Sequence, residues 1–176
     1  VRKLGLAPRL LTGEQEAQTS AMGVMAAFPG ARGTVGDLGG GSLELVSIDN
    51  GVCGGGITLP YGTLRLADLR AGGPSNFAKT VRDGLSKAGW TGGTGLPLYI
   101  VGGSWRALAL QTMQEINWPL DDPHDFELIP EAALRMCRQF EKGKLERPDP
   151  RISTSRVANV PDAAALLGQL VERINP

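Results

Sequence analysis

The spacing of apolar positions changes along the chain. Between Glu14 and Phe28 the sequence is rich in Ala, Met and Gln, strong helix formers, and Pro29-Gly30 ends the run. Thr12 precedes it with Gln15 at i+3, the pattern of a capping box. Gly33 to Leu38 and Leu43 to Ile48 flank a glycine run, which predicts two strands joined by a glycine turn. Asp49-Asn50-Gly51 is a hairpin signal, and Val52 to Leu59 reads as a third strand. Helical patterns return from Leu64 to Leu69 and from Pro74 to Ala88, where Phe77, Val81 and Leu85 recur at i, i+4 and i+8. Pro97 to Val101 is a short apolar strand ending in Gly102-Gly103, and Ser104 to Met113 reads as a helix. Pro8 to Leu11 predicts a short strand ahead of the first helix, and Asp125 to Ile129 an extended stretch. Pro130 to Lys142 and Pro161 to Ile174 predict two more helices, separated by a proline- and charge-rich loop over Arg147 to Arg156.

The order is strand–helix, a three-strand meander, helices, a strand, then helices. That is an α/β pattern, and it matches one ribonuclease-H-like layer, a mixed sheet flanked by helices. With 176 residues the whole chain, 1–176, is expected to form a single domain with a substantial core. The sequence starts at Val1-Arg2-Lys3, as a piece cut from a longer protein would.

Composition then narrows the function classes. Basic and acidic residues balance at 18 each, so no global field favours nucleic acid, and DNA is not an expected partner. Any polyanion site must be a local pocket. Two cysteines and one histidine are too few for a thiolate or imidazole zinc site, and a reducing cytoplasmic setting fits them. No apolar run approaches the roughly 20 residues of a membrane span. The 25 glycines fall in short clusters, which mark tight turns or close approach to a ligand.

The sharpest chemical signal is Asp37-Leu38-Gly39-Gly40-Gly41-Ser42-Leu43-Glu44. Consecutive glycines between strands let several N–H groups face one point and bind phosphate oxygens, and Ser42 adds a hydroxyl. A carboxylate beside such a nest repels phosphate unless it holds a cation or a water, so Asp37 is a candidate Mg²⁺ ligand. Glu44 shares a strand face with Ser42 by period two, and it is placed to share the ion or fix the loop. The plain alternative is a glycine hairpin with a solvated Asp. Glycine runs alone are weak signals, since Gly54-Gly55-Gly56 repeats one elsewhere.

The stretch Val35 to Val46 resembles the phosphate-binding signature of the exopolyphosphatase/guanosine pentaphosphate phosphatase family, which often reads D-I-G-G-G-S-T-E. The family belongs to the acetate and sugar kinase, heat-shock chaperone and actin superfamily. This chain departs at Leu38, conservatively, and at Leu43, where a Thr is usual and its loss would remove a hydroxyl from the loop. Upstream, Gly13-Glu14-Gln15-Glu16-Ala17 resembles the family's G-x-E-E-A segment. The resemblance makes Glu16 the catalytic base, whereas position alone reads it as a surface Glu at a helix start. Glu14 acquires no role. Val101-Gly102-Gly103-Ser104 is similar to a softer family element that shapes the nucleotide or substrate cleft. There Gly102, Gly103 and Ser104 become phosphate-binding candidates, although capping the next helix is the simpler role for Ser104. Arg106 is a weak candidate for polyphosphate contact. In Leu59 to Arg65 the family places a loop near substrate, so Gly62, Thr63 and Arg65 are further cleft candidates.

The resemblance covers Leu11 to Met113. It implies that this chain is the second half of a two-domain catalytic unit and needs the first domain's phosphate loop as its opposite wall. It also implies Mg²⁺ and hydrolysis of the terminal phosphoanhydride of polyphosphate or guanosine pentaphosphate, with room for a homodimer. Two alternatives stand beside it: an ATP-dependent sugar or acetate kinase half, and a non-catalytic phosphate- or nucleotide-binding module. His124, the cysteines and the Trp residues carry no motif and read as packing or surface residues.

Overall fold

The computed structural model describes Gly5, Ala7 and residues 10–143 and 145–176. Four strands form one mixed sheet: β1 (Arg32–Leu38), β2 (Leu43–Asp49), β3 (Val52–Leu59) and β4 (Leu98–Val101), in spatial order β3-β2-β1-β4. The meander β1-β2-β3 is antiparallel and β4 joins β1 in parallel, so the carboxyl ends of β1 and β4 lie side by side. Such adjoining carboxyl ends, where the topology switches, are where open α/β sheets bind ligands.

Helix α1 (Gly13–Ala27) covers one face. Ala17, Ala21 and Val24 bury against Val35, Val46 and Ile48, and the small side chains bring the helix close to the sheet. The capping box forms in both directions. Gln15 N–H donates to Thr12 Oγ1 at 3.3 Å and Thr12 N–H donates to Gln15 Oε1 at 3.1 Å. The other face carries the larger core, with α2 (Thr63–Arg70), α3 (Pro74–Lys87), α4 (Gly103–Glu115), α5 (Pro130–Phe140), a short α6 (Thr154–Val157) and α7 (Val160–Ile174). Helix α7 is buried nearly all round, from Ala163 through Leu170, as a central helix must be. Trp105 ties α4, α7 and β1 together. Its ring packs where a Gly36 side chain would stand, and its Nε1–H donates to the Ala163 carbonyl at 3.1 Å.

Asn50 and Gly51 both have positive φ, 48° and 84°, as a two-residue turn twisted to suit the flanking strands requires. Three expectations need adjustment. Of the proposed Pro8–Leu11 strand, Pro8 and Arg9 lie outside the described residues, while Leu10 and Leu11 are exposed and outside any strand. Asp125 to Ile129 is a loop, with Asp125 at φ 61°, and the Arg147–Arg156 loop contains the start of α6. Among the described residues no helix is long and apolar enough to cross a membrane.

Candidate active site

Strand alternation sorts the motif residues. On β1, Val35 faces α1, so Asp37 does too; on β2, Val46 and Ile48 face α1, so Glu44 does too. Asp37 and Glu44 are direct cross-strand partners in the β1–β2 ladder. Side chains so placed have Cβ atoms about 4.5–5.5 Å apart, and like charges there repel. Glu44 is 1% exposed, and among the described residues neither of its carboxylate oxygens has a hydrogen-bond partner. Burial pushes its carboxyl above the ordinary Glu value of 4.5, and the charges of Glu16 and Asp37 push the same way, while the Ser42 hydroxyl nearby offsets part of this. Glu16 stands exposed in the first turn of α1, within electrostatic reach of that pair.

The turn between β1 and β2 is closed by Gly39 N–H donating to the Ser42 carbonyl at 3.0 Å. The carbonyls of Gly39 and Gly40 accept from Thr63 and Leu64 N–H at the start of α2, each at 3.0 Å. The carbonyls of Gly39 and Gly40 are therefore committed to α2, and among the described residues the N–H groups of Gly40, Gly41 and Ser42 make no backbone hydrogen bond. Three unpaired N–H groups in one glycine turn form the kind of concavity that takes phosphate oxygens.

Gly62 makes this arrangement possible. A Cβ there would lie 2.2 Å from Gly41 C, 2.3 Å from Ser42 N and 2.4 Å from the Gly40 carbonyl oxygen. Gly62→Ala is expected to push the glycine turn off α2, destabilising the fold by about 1–3 kcal/mol. Phosphate affinity falls with it, which thermal melts and phosphate titration on the same variant would measure. Gly62 and Thr63 thus bind the loop itself. Arg65 is exposed on α2 and has no ion-pair partner among the described residues.

The second glycine turn lies beside the first. Gly102 has φ 115°, and a Cβ there would lie 2.6 Å from the Leu38 carbonyl oxygen. Because Gly102 is the residue able to adopt that conformation, it takes the N-cap position of α4, and Ser104 falls inside the helix with no capping hydrogen bond. Capping by Ser104 is therefore overturned; its side chain is buried, 6% exposed. The Leu43 expectation is corrected too. Leu43 is fully buried in the large core, on the face away from Glu44, so its side chain is no part of the phosphate turn.

Sequence reasoning missed an arginine pocket at the start of α4. Gly103, Ala107, Leu110 and Ile152 line it, and Arg106, Arg151 and Arg156 ring it. Arg106 pairs with Asp122 at 3.3 Å, and Arg151 pairs with Asp149 and Asp121. Arg156 has no ion-pair partner among the described residues, and its guanidinium lies where a Gly103 side chain would be, 2.7 Å from that Cβ position. A cation at the positive end of a helix dipole is unfavourable unless an anion joins them. No local motif marks Arg156, because it reaches Gly103 only through the packing of α6 on α4.

As to metal, among the described residues no three His, Cys, Asp or Glu side chains come together as a ready-made cation cage. The opposed Asp37–Glu44 pair, with Asp37 half-buried and the two Glu44 oxygens without a hydrogen-bond partner among the described residues, suits an ion such as Mg²⁺, which takes one or two carboxylates and completes its shell with water and substrate oxygens.

A family model described as the Ppx/GppA phosphatase family matches residues 1–175. No curated protein matches the chain by sequence. Among solved structures, the type II variant of the Aquifex aeolicus Ppx/GppA phosphatase is 22% identical with TM-score 0.72, covering 99% of this chain and 61% of its own. An exopolyphosphatase-like protein is 23% identical with TM-score 0.75, covering 98% and 59%. An exopolyphosphatase from Cytophaga hutchinsonii is 18% identical with TM-score 0.63, covering 91% and 56%. At these identities the likeness establishes the fold, the ribonuclease-H-like and actin-like one. The chain spans about three fifths of the length of these relatives.

Proposed function

Because the chain belongs to the Ppx/GppA phosphatase family, we propose that it carries the base and one phosphate loop of a hydrolase that removes the terminal phosphoryl group of inorganic polyphosphate or guanosine pentaphosphate. The observation that carries this reading is the three unpaired N–H groups of Gly40, Gly41 and Ser42 beside the opposed Asp37–Glu44 carboxylates. Donors and acids so placed suit a phosphate accompanied by a cation, and suit neither alone.

In this mechanism Glu16 orients a water and takes its proton as the water oxygen attacks the terminal phosphorus. The bond to the bridging oxygen breaks, and the shortened chain leaves with that oxygen. The turn's N–H groups hold the equatorial oxygens, where charge redistributes, and such positioning and electrostatics are the main contribution to phosphoryl transfer. Asp37 and Glu44 are the residues that would hold Mg²⁺, which when bound neutralises phosphate charge. The arginine pocket extends the anion path past α4, and Gly102 and Gly103 shape the way to it. The opposite wall of the cleft is assigned to the part of the longer protein that this chain's relatives carry in addition. The free thiols Cys53 and Cys137 suit a reducing compartment, and we place the reaction in the cytoplasm.

The test is phosphate release by the full-length protein with Mg²⁺, from long-chain polyphosphate and from guanosine pentaphosphate in parallel. Release from either supports the reading. Binding without release would make this a binding module, and transfer from ATP to a sugar or acetate would make it a kinase. For the pocket, Arg156→Ala is expected to raise KM roughly tenfold with kcat little changed, the effect of losing one hydrogen bond to a charged group. An unchanged KM would remove the pocket from the substrate path.

A further inference from the structure

Two adjacent hydroxyls on α1 behave differently. Thr19 Oγ1 donates back to the Gln15 carbonyl at 2.7 Å, the default for a hydroxyl inside a helix. Ser20 does not follow it; its Oγ–H leaves the helix and donates across to Asp37 Oδ2 on β1. Ser20 is one turn after Glu16, on the same helix face, so one stripe of α1 carries both the proposed base and this donor. Asp37 stands opposite buried Glu44, whose oxygens have no hydrogen-bond partner among the described residues. Repulsion from Glu44 drives an untethered Asp37 carboxylate outward, and Asp37 is only half-buried, so space to swing is present. The Ser20 bond opposes that swing by occupying Oδ2, which leaves Oδ1 available to a cation.

We infer that Ser20 is a positioning residue that fixes the Asp37 carboxylate for divalent-cation binding. This rests on the reading of Asp37 as a cation ligand. Hydrogen-bond partners of ligating groups typically contribute about 10- to 100-fold in metal affinity. Ala is favourable at a helix position, so Ser20→Ala leaves α1 intact while removing the donor. Thr restores a hydroxyl at the same place.

The experiment measures Mn²⁺ binding to the full-length protein by EPR, without substrate, for the parent, Ser20→Ala, Ser20→Thr and Asp37→Ala. The expected result is affinity about 10- to 100-fold weaker in Ser20→Ala, with recovery towards the parent in Ser20→Thr and loss in Asp37→Ala. Parent-like binding by Ser20→Ala, with Asp37→Ala defective, overturns the inference and leaves the ligand assignment standing. Equal weakening in the Ala and Thr variants also overturns it, since packing rather than the hydroxyl would then be responsible. Parent-like binding by Asp37→Ala overturns the ligand assignment itself, and the inference with it.

Discussion

Glu16→Gln is expected to lower phosphate release by about 10³-fold, within the range for loss of a positioned general base, while substrate still binds. Glu16 sits in the first turn of a helix whose start is locked by the Thr12–Gln15 box, so the substitution leaves the backbone in place. Gln keeps the length and loses the ability to accept the water's proton. The helix forfeits one favourable charge near its N-terminus, about 0.3–1 kcal/mol, too little to unfold the domain. Glu14, also exposed in that turn, is the control, and Glu14→Gln is expected to match the parent. Initial rates of phosphate release, with filter binding of labelled polyphosphate, separate turnover from affinity. A Glu16→Gln variant as fast as the parent would return Glu16 to the helix surface.

The second large effect concerns Glu44, where stability and activity move in opposite directions. A buried carboxylate with no partner burdens the metal-free fold; an unsatisfied buried group costs about 1–3 kcal/mol, more when charged. Its folded pKa lies above 4.5, with burial the main cause, so the folded state binds more protons than the unfolded state. By linkage, stability of the metal-free protein falls as pH rises from the ordinary Glu value towards the raised one, and stays low above it. Glu44→Gln removes that titration. The variant is expected to melt higher than the metal-free parent at pH 8, by about 1–3 kcal/mol, with the difference closing at pH 4. Phosphate release is expected to fall about 100-fold, because the proposed cation site would lose a charge worth several kcal/mol to the transition state. Thermal melts in chelator across pH, beside rates in Mg²⁺, check both halves. Equal melting of parent and variant at every pH would show that Glu44 is already satisfied, and the cation site would lose its main support.

Local signals were sufficient for most elements. The capping residues Thr12 and Gln15, the Asn50-Gly51 turn, and the every-fourth-residue pattern of Phe77, Val81 and Leu85 each act within one turn or hairpin. The structure reproduces them within a residue or two at their ends. Asp37, the glycine turn and Glu44 were equally legible, because a strand's two-residue period and a turn's glycines are properties of consecutive residues. The expected loss of a loop hydroxyl at Leu43 did not hold, because its side chain lies on the face away from Glu44, in the core.

Contacts between distant segments were not legible. Nothing near Gly62 shows that the backbone of 40–42 packs on it, and nothing near Ser20 points to Asp37. Ser104 reads as a cap until Gly102, forced to φ 115° against the end of β1, takes that position. Arg156 joins the arginine pocket only when α6 lies over the start of α4. The sequence by itself determined the elements and the chemical kinds of the candidate groups, since these depend on neighbours along the chain. Tertiary structure decided that Glu44 is buried without a hydrogen-bond partner among the described residues, that the carbonyls of Gly39 and Gly40 are committed to α2, and that one face of α1 carries both Glu16 and the donor to Asp37. Burial, close approach and cross-strand repulsion depend on packing between segments far apart in sequence, and local patterns carry no record of it.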